Sequence, residues 1–237
     1  MSDLMSAFGP TDTDLGINEL ARRTGIPKAS VSRLVKEMEG VGLFERQGTK
    51  VGLGLRLFEL GERASRRRSV REIALPFLAD LREATRQTVH LAILDGTDVV
   101  YVEILRGRDA PPLPSGVGGR LPAHATGVGK ALLAGSPPAS FDAVVAAGLT
   151  RLGPRTITAP GPLVRQLRRI AASGLAYEFE ESAPGVACVA SAIRLDSRPI
   201  AAVSASGWIG KVDIRRVGPA VHTTALSITR ALTAARA

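Results

Sequence analysis

The residues near the amino terminus best suited to chemistry are the basic and hydroxyl side chains of the stretch 22–36. It holds five Lys and Arg residues and no Asp or Glu. Apolar residues recur at positions 31, 34, 35 and 38, the spacing of one helix face, so polar side chains share the other face. Basic side chains pair with phosphates, and Arg and Ser can also read base edges. The residues expected to contact DNA from this helix are Lys28, Ala29, Ser30, Ser32, Arg33 and Lys36.

A second, shorter helical pattern precedes this one, in the sequence INELARRT. Gly25 follows it and can make the tight bend between two helices, because glycine adopts left-handed backbone angles without strain. Pro27 suits the first turn of the second helix, where its missing N–H would have no partner. The two patterns predict a DNA-reading helix-turn-helix, and the competing interpretation is an ordinary helical hairpin with a solvated charged face.

The segment FERQGTKVGLGL, which follows these helices, predicts a small β-hairpin. Gln47 and Gly48 lie between two short runs and can form its turn. A hairpin beside a recognition helix is the wing of a winged helix. Arg46 and Lys50, near the tip of this hairpin, could then reach phosphate or a minor groove.

A second group of chemically useful side chains lies in two C-terminal runs, GVACVASAI and AAVSASG. Small residues leave space there, and Cys188, Ser204 and Ser206 interrupt the apolar pattern. Residues two apart on a strand point to the same side, so both serine hydroxyls could bind a carboxylate or hydroxyl group of one small ligand. The alternative is that they are core hydroxyls that hydrogen-bond only the backbone.

More specific functions, such as nucleotide binding or metal binding, lack the residues that they require. The sequence TGVGK resembles a phosphate-binding loop, but His124 occupies the position of its first glycine and Ala131 stands where Ser or Thr would hold magnesium. The three histidines have no metal-ligand spacing, so we expect neither a metal site nor a cofactor. A hydrolase using Cys188 with His124 and Glu178 is the enzymatic alternative, although no local cation or helix N-terminus would activate that thiol.

Length and composition limit the number and kind of domains that can carry these residues. A chain of 237 residues with 45% hydrophobic content can build one large or two modest globular domains. Residues 1–72 contribute +3 (13 basic, 10 acidic) and 73–237 contribute +6 (18 basic, 12 acidic) to the net charge of +9, so the DNA prediction rests on local clusters. One cysteine excludes an intrachain disulfide, and the lack of a signal peptide or long apolar run indicates a cytoplasmic protein.

Between the two halves, residues 55–87 keep apolar residues at helical intervals. Gly61 and Ser69 are the expected breaks, with Ser69 capping a new helix that Pro76 could kink. Three consecutive arginines at 66–68 could meet a DNA backbone, or they could form a solvated helix end.

After residue 87 the pattern changes to strands. TVHLAIL and DVVYVEI flank Asp95-Gly96, a strong hairpin signal. The loop RGRDAPPLPSGVGGRLP is long and rich in Gly and Pro, which favours a lid or binding loop over surface filler. Helices are expected around 127–134, 139–147, 160–173 and from 214, and strands near 175–180, 186–194 and 199–206. This order predicts an α+β domain with a largely antiparallel sheet.

Several stretches, in this order, resemble the IclR-type bacterial transcriptional regulators. They are LARRTGIPKASVSRLV, LGLRLFELG, TVHLAILDGTDVVYVE, LPAHATGVGKALLA, RTIT, SGLAYEFEESAPGVACVASAI and AAVSASG. The resemblance implies an α+β chain with a winged helix-turn-helix in residues 1–60, linker helices in 61–86, and a GAF- or PAS-like effector-binding domain in 87–237. One departure is the first helix, for which only residues 2–8 are available.

The resemblance also implies a non-enzymatic DNA-binding regulator, more often a repressor, that forms a homodimer or homotetramer and responds to a small organic acid or related metabolite. Because one short recognition helix makes few base contacts, we expect two copies on an inverted-repeat operator. Gly127 and Val128 would open a helix, where free N–H groups suit an anion. The implied effector-binding residues are Leu121, Gly127, Val128, Glu178, Val186, Cys188, Ser204 and Ser206. An architectural DNA binder without a ligand is the other alternative, but it leaves the small-residue strands unexplained.

Overall fold

The computed structural model describes residues 1–9, 12–63, 65–108, 110–111 and 113–236, with the backbone alone at 62 and 65–69. The chain divides into two compact units, Met1–Arg68 (unit 1) and Ser69–Ala237 (unit 2). Among the described residues, no helix combines the length and the apolar character needed to span a membrane.

Unit 1 contains the predicted helix-turn-helix. Its elements are α1 (Ser2–Ser6), β1 (Asp14–Gly16), α2 (Ile17–Thr24), α3 (Lys28–Gly40), β2 (Phe44–Gln47), β3 (Lys50–Leu53) and α4 (Leu55–Glu62). Gly25 ends α2 with a φ of 69°, and its N–H donates to the Ala21 carbonyl at 2.9 Å. Pro27 is the N-cap residue of α3 rather than part of its first turn. The bend between α2 and α3 is thus made by the glycine that the sequence indicated.

The predicted wing is the β2–β3 hairpin, in which Gly48 adopts a φ of 62°. β1 joins it as a third strand, in the order β1-β3-β2, and this strand was not predicted. With three residues and one buried side chain, Leu15, β1 is too short to show alternation. The buried core of unit 1 comprises Leu4, Leu15, Leu20, Val31, Val35, Met38, Phe44 and Val51.

One of the two breaks predicted between the halves is wrong. Helix α5 (Ser65–Thr85) continues through Ser69, whereas α4 ends at Glu62, one residue after Gly61. A serine flanked by good helix formers can remain inside a helix and need not cap one, since the propensity difference per residue is a fraction of a kcal/mol. The side chains of the arginines at 66–68 lie outside the described residues.

Unit 2 continues from α5 into the predicted α+β order. Its further elements are β4 (Thr88–Asp95), β5 (Asp98–Leu105), β6 (Arg120–Pro122), a 3₁₀ turn (Ala123–Ala125), α6 (Gly127–Leu133), α7 (Pro138–Ala146), α8 (Pro160–Ser173), β7 (Ala176–Phe179), β8 (Val186–Leu195), β9 (Arg198–Trp208) and α9 (Ile214–Ala234). β6 and the 3₁₀ turn were not predicted, since three residues are too few to carry a periodic signal.

The strands of unit 2 form one sheet in the order β6-β5-β4-β9-β8-β7, and every neighbouring pair is antiparallel, as predicted. One face of the sheet packs on α5 and α9, and the other on α6, α7 and α8. Along β9, Val203 and Ala205 belong to the first core and Ala202 to the second. Alternation therefore puts Ser204 and Ser206 on the α6 side of the sheet.

Candidate functional site

The polar face of α3 is open to solvent. Val31, Val35 and Met38 of the same helix are fully buried, which fixes its orientation in unit 1. Lys28 and Arg33 are exposed and form no ion pair with the described residues. Of the other residues predicted to contact DNA from α3, Ala29, Ser32 and Lys36 are also exposed, and Ser30 is half-buried. Lys36 likewise forms no ion pair with the described residues, so the helix presents three unpaired cations beside small side chains.

The two predicted wing residues are held by carboxylates. Arg46 Nε lies 2.8 Å from Glu39 Oε1, and Lys50 Nζ lies 2.8 Å from Asp14 Oδ1. Both basic side chains are exposed, so each ion pair contributes little stability. A phosphate could replace either carboxylate at small cost, which keeps both residues available for DNA.

In unit 2, polar side chains line up across the strands at the α6 face. Glu178 of β7 lies opposite Cys188 of β8, and Cys188 lies opposite Ser206 of β9. In the next such row, Ser204 lies opposite His90 of β4. Register therefore brings together side chains that are separated by more than one hundred residues along the chain.

These rows form one wall of a cavity between the sheet and the start of α6. The cavity is small, with a volume of about 20 Å³. All of the effector-binding residues predicted from the sequence line it, namely Leu121, Gly127, Val128, Glu178, Val186, Cys188, Ser204 and Ser206. That free volume suffices for a water molecule, so a metabolite must widen the cavity to enter.

The sequence did not single out several residues that also line the cavity. His90 and Tyr101 come from β4 and β5, and residues 113–115, which we call the lid segment, come from the long Gly- and Pro-rich loop. The sequence analysis predicted that this loop is a lid or binding loop, and it therefore indicated the lid segment without naming its residues. His90 could have been suspected, because it is a polar residue on an otherwise apolar strand.

His90 connects the lid segment to the sheet. Its Nε2 lies 3.0 Å from the Ser115 hydroxyl, and its Nδ1 lies 3.3 Å from the Ser204 hydroxyl. Burial, with a smaller contribution from Arg106, lowers the pKa of His90 to about 4. The imidazole is therefore neutral at pH 7 and serves as a hydrogen-bonding bridge rather than a cation.

The geometry does not support the hydrolase alternative. His124 does not line the cavity, and its Nε2 lies 3.0 Å from the Thr150 carbonyl oxygen. Burial, helped by Glu178, raises the pKa of the Cys188 thiol to about 12. Since the thiolate is the nucleophile, a thiol with this pKa is unreactive at neutral pH.

The start of α6 approaches β8 closely at a glycine. A Cβ atom on Gly127 would lie 2.9 Å from Cys188 Sγ, so any larger residue would intrude on the cavity. The Thr126 side chain caps this seven-residue helix by accepting from the Gly129 N–H at 3.0 Å. Gly127 thus contributes space as well as backbone.

Helix α6 also carries one partner of a buried ion pair. Lys130 of α6 is fully buried, and its Nζ lies 2.5 Å from Glu181 Oε1. The ammonium group also donates to Gln166 Oε1 at 3.2 Å and to the Tyr177 carbonyl at 3.4 Å. All three protons of the lysine therefore have acceptors, and the pair joins α6 to α8 and to the end of β7.

Comparison with known proteins agrees with this architecture. Residues 2–48 match the IclR helix-turn-helix domain, and residues 63–230 match the bacterial transcriptional regulator IclR C-terminal domain. The HTH-type transcriptional regulator XynR of Escherichia coli K12 is 33% identical over 89% of this chain and 85% of its own. The HTH-type transcriptional repressor AllR of Klebsiella pneumoniae is 32% identical over 91% and 82%.

Solved structures give the same result. An IclR homologue from Microbacterium hydrocarbonoxydans in complex with 4-hydroxybenzoate has a TM-score of 0.91 at 30% identity, covering 98% of this chain and 97% of its own. The IclR of Thermotoga maritima has a TM-score of 0.77 at 28% identity, covering 97% and 95%. The chain therefore belongs to the IclR family of bacterial transcriptional regulators, which combine a DNA-binding helix-turn-helix with a C-terminal effector-binding domain.

Proposed function

We propose that this chain represses a metabolic operon and that a small organic acid or related metabolite, bound in the cavity of unit 2, changes its affinity for the operator. The observation that carries the proposal is the convergence of the eight implied effector positions on one cavity. The 4-hydroxybenzoate bound by a homologue with a TM-score of 0.91 supports an organic acid as the ligand class. An operator on chromosomal DNA makes the cytoplasm the site of action.

We assign DNA contacts to the open face of α3 and to the wing. Arg33 and Ser30 read base edges, and Lys28 and Lys36 hold phosphates, because guanidinium and hydroxyl groups match base edges while ammonium groups act as point charges. Ala29 and Ser32 lie beside them and make close contacts. Arg46 and Lys50 of the wing exchange their carboxylates for DNA phosphates.

Regulation without catalysis fits the chemistry of the cavity. The Cys188 thiol is protonated, and the neutral His90 already forms hydrogen bonds with Ser115 and Ser204. An acyl-transfer enzyme would need an activated nucleophile and a base within reach of it. Incubating the chain with acyl esters and thioesters and measuring product release tests this assignment, and turnover lost in Cys188→Ala would contradict it.

Ser206→Leu is expected to abolish the effect of ligand on operator binding. The leucine side chain fills the cavity and removes a hydroxyl group, which should weaken effector binding at least about tenfold, or 1.4 kcal/mol. Operator affinity without ligand should stay unchanged, since Ser206 belongs to unit 2. A thermal-shift screen of carboxylic acids and sugar derivatives first identifies the effector, and its titration against the operator complex then compares both chains.

The matched control for this experiment is Ser227→Leu. Ser227 lies on α9, where its hydroxyl accepts from Arg230, and it does not line the cavity. The same change of side chain there should leave the response intact. An effector response in Ser206→Leu equal to that of wild type would place the ligand elsewhere in the protein.

The operator is expected to be an inverted repeat bound by two copies of the chain. Half-sites should lie about one helical turn of DNA apart, or a multiple of it, because each recognition helix supplies only a few base contacts. Sedimentation of the chain with duplexes that carry one or two half-sites measures this stoichiometry. Tight binding of a monomer to a single half-site would rule it out.

A further inference from the structure

Glu178 presents one carboxyl oxygen to the protein and leaves the other for the cavity. Its Oε1 accepts the backbone N–H groups of Glu181 at 2.7 Å and Ser182 at 3.0 Å. The Ser182 hydroxyl also donates to Oε1, at 3.4 Å, and no hydrogen bond from a described residue reaches Oε2. The side chain is 1% exposed and lines the cavity, so a bound ligand that donates to Oε2 adds a hydrogen bond there.

The cavity offers Glu178 no positive partner. Its described lining contains no Lys or Arg. Lys130, whose charge acts on Glu178, has its ammonium protons directed to Glu181, Gln166 and the Tyr177 carbonyl. A ligand carboxylate placed against Oε2 would therefore put two like charges together in a buried site with nothing between them.

The other titratable groups that face Glu178 are neutral or already paired. Burial raises the pKa of both Tyr101 on β5 and Cys188 on β8, so both side chains stay protonated. His90 on β4 is neutral, as described above, and Glu181 pairs with Lys130. Burial raises the pKa of Glu178 itself to about 7, with the backbone N–H groups and Lys130 opposing it.

We propose that Glu178 selects the effector by accepting a hydrogen bond, at Oε2, from a hydroxyl group that the effector carries. This inference rests on the proposed function and adds the class of ligand: a small hydroxylated molecule whose hydroxyl end, and not its acidic end, meets Glu178. The acidic end of such a ligand then lies toward Ser206 and the Tyr101 hydroxyl, which are donors on the same cavity wall.

The test compares probes that differ by one hydroxyl group. The pairs 4-hydroxybenzoate with benzoate, and lactate with propionate, are titrated calorimetrically into the wild-type chain at pH 8. In at least one pair the hydroxylated member should bind about tenfold more tightly, which is the value of one well-made hydrogen bond to a charged acceptor. In Glu178→Gln the difference should fall below about threefold, because the amide oxygen must face the two N–H donors and the amide nitrogen, a donor, faces the cavity.

Whether the affinity of the probe rises or falls with pH distinguishes the two orientations of the ligand. A donated hydrogen bond favours the ionised carboxylate, so affinity for the hydroxylated probe should rise with pH. With a pKa of about 7 for Glu178, the ionised fraction rises from about one tenth at pH 6 to about nine tenths at pH 8, a gain of about tenfold at most. A ligand carboxylate against Glu178 would show the opposite trend, and Glu178→Gln should show none.

Glu180→Gln is the matched control. Glu180 lies two residues away, accepts from the Gly185 N–H, and does not line the cavity, so this variant should keep both the hydroxyl preference and the pH trend. Equal affinities within every pair overturn the proposal, as does a failure of every hydroxylated probe to bind at pH 8. Tighter binding of 4-(aminomethyl)benzoate than of 4-hydroxybenzoate also overturns it, since the donor would then be an ammonium. Operator release by a ligand without a hydroxyl group would leave the proposed function standing.

Discussion

Lys130→Met is expected to lower the free energy of unfolding of unit 2 by about 3–5 kcal/mol, because it leaves the Glu181 carboxylate buried without its partner. Glu181 Oε2 already lacks a hydrogen-bond partner among the described residues, so the lost ammonium cannot be replaced by a shift of the side chain. Such a loss is a large share of the 5–15 kcal/mol by which folded domains are typically stable.

Urea unfolding followed by circular dichroism measures this change. Lys130→Met combined with Glu181→Gln should recover part of the stability, since no charge then remains buried. Lys211→Met is the control, because Lys211 is exposed and has no ion pair with the described residues. A loss below about 1 kcal/mol in Lys130→Met would show that the Glu181 carboxylate does not depend on the lysine charge.

Arg33→Ala is expected to relax the base preference at one position of each half-site, so that operator and random DNA are distinguished less well. The cost in operator affinity should be about 1–3 kcal/mol per half-site. Arg33 lies exposed on α3 with no carboxylate partner among the described residues, so its guanidinium needs no rearrangement to reach a base. Lys36→Ala should instead weaken all DNA to a similar degree and reduce the salt dependence of binding, as the loss of a phosphate contact does.

Footprinting and salt titrations on operator and random duplexes separate the two effects. Lys211→Ala, a change of one cation in unit 2, should alter neither. If Arg33→Ala kept full discrimination, α3 would not be the element that reads the bases.

Local sequence patterns predicted the helices and strands in which apolar residues recur at regular spacing. The apolar spacing of α3 and the β-branched runs of β4 and β5 each extend over eight or more residues, so one or two exceptions do not hide them. β1 and β6 have three residues each and left no such signal. The continuity of α5 through Ser69 was missed because a serine is as typical of a cap as of a helix interior, and packing along the whole helix decides between them.

The cavity could be predicted only in part from local sequence. Alternation along β9 gives a common face to Ser204 and Ser206, but strand order and register bring Glu178 and His90 beside them. Those are properties of the whole sheet; the resemblance to a known family supplied Glu178, and nothing in the sequence analysis supplied His90. Lys130 belongs to TGVGK, whose resemblance to a phosphate-binding loop was rejected from the sequence, and its role as a buried structural cation appears only in the fold.

The small free volume of the cavity has a consequence for how much metabolite the cell must accumulate before the regulator responds. The lid segment lines the cavity and is held by the hydrogen bond between His90 and Ser115, so we expect a ligand that widens the cavity to move this segment. The free energy of that opening is the same for all ligands, and every dissociation constant is the intrinsic value divided by the fraction of chains that are open. Changes in residues 113–115 can therefore raise or lower the threshold concentration of the sensor while the order of preference among metabolites stays the same.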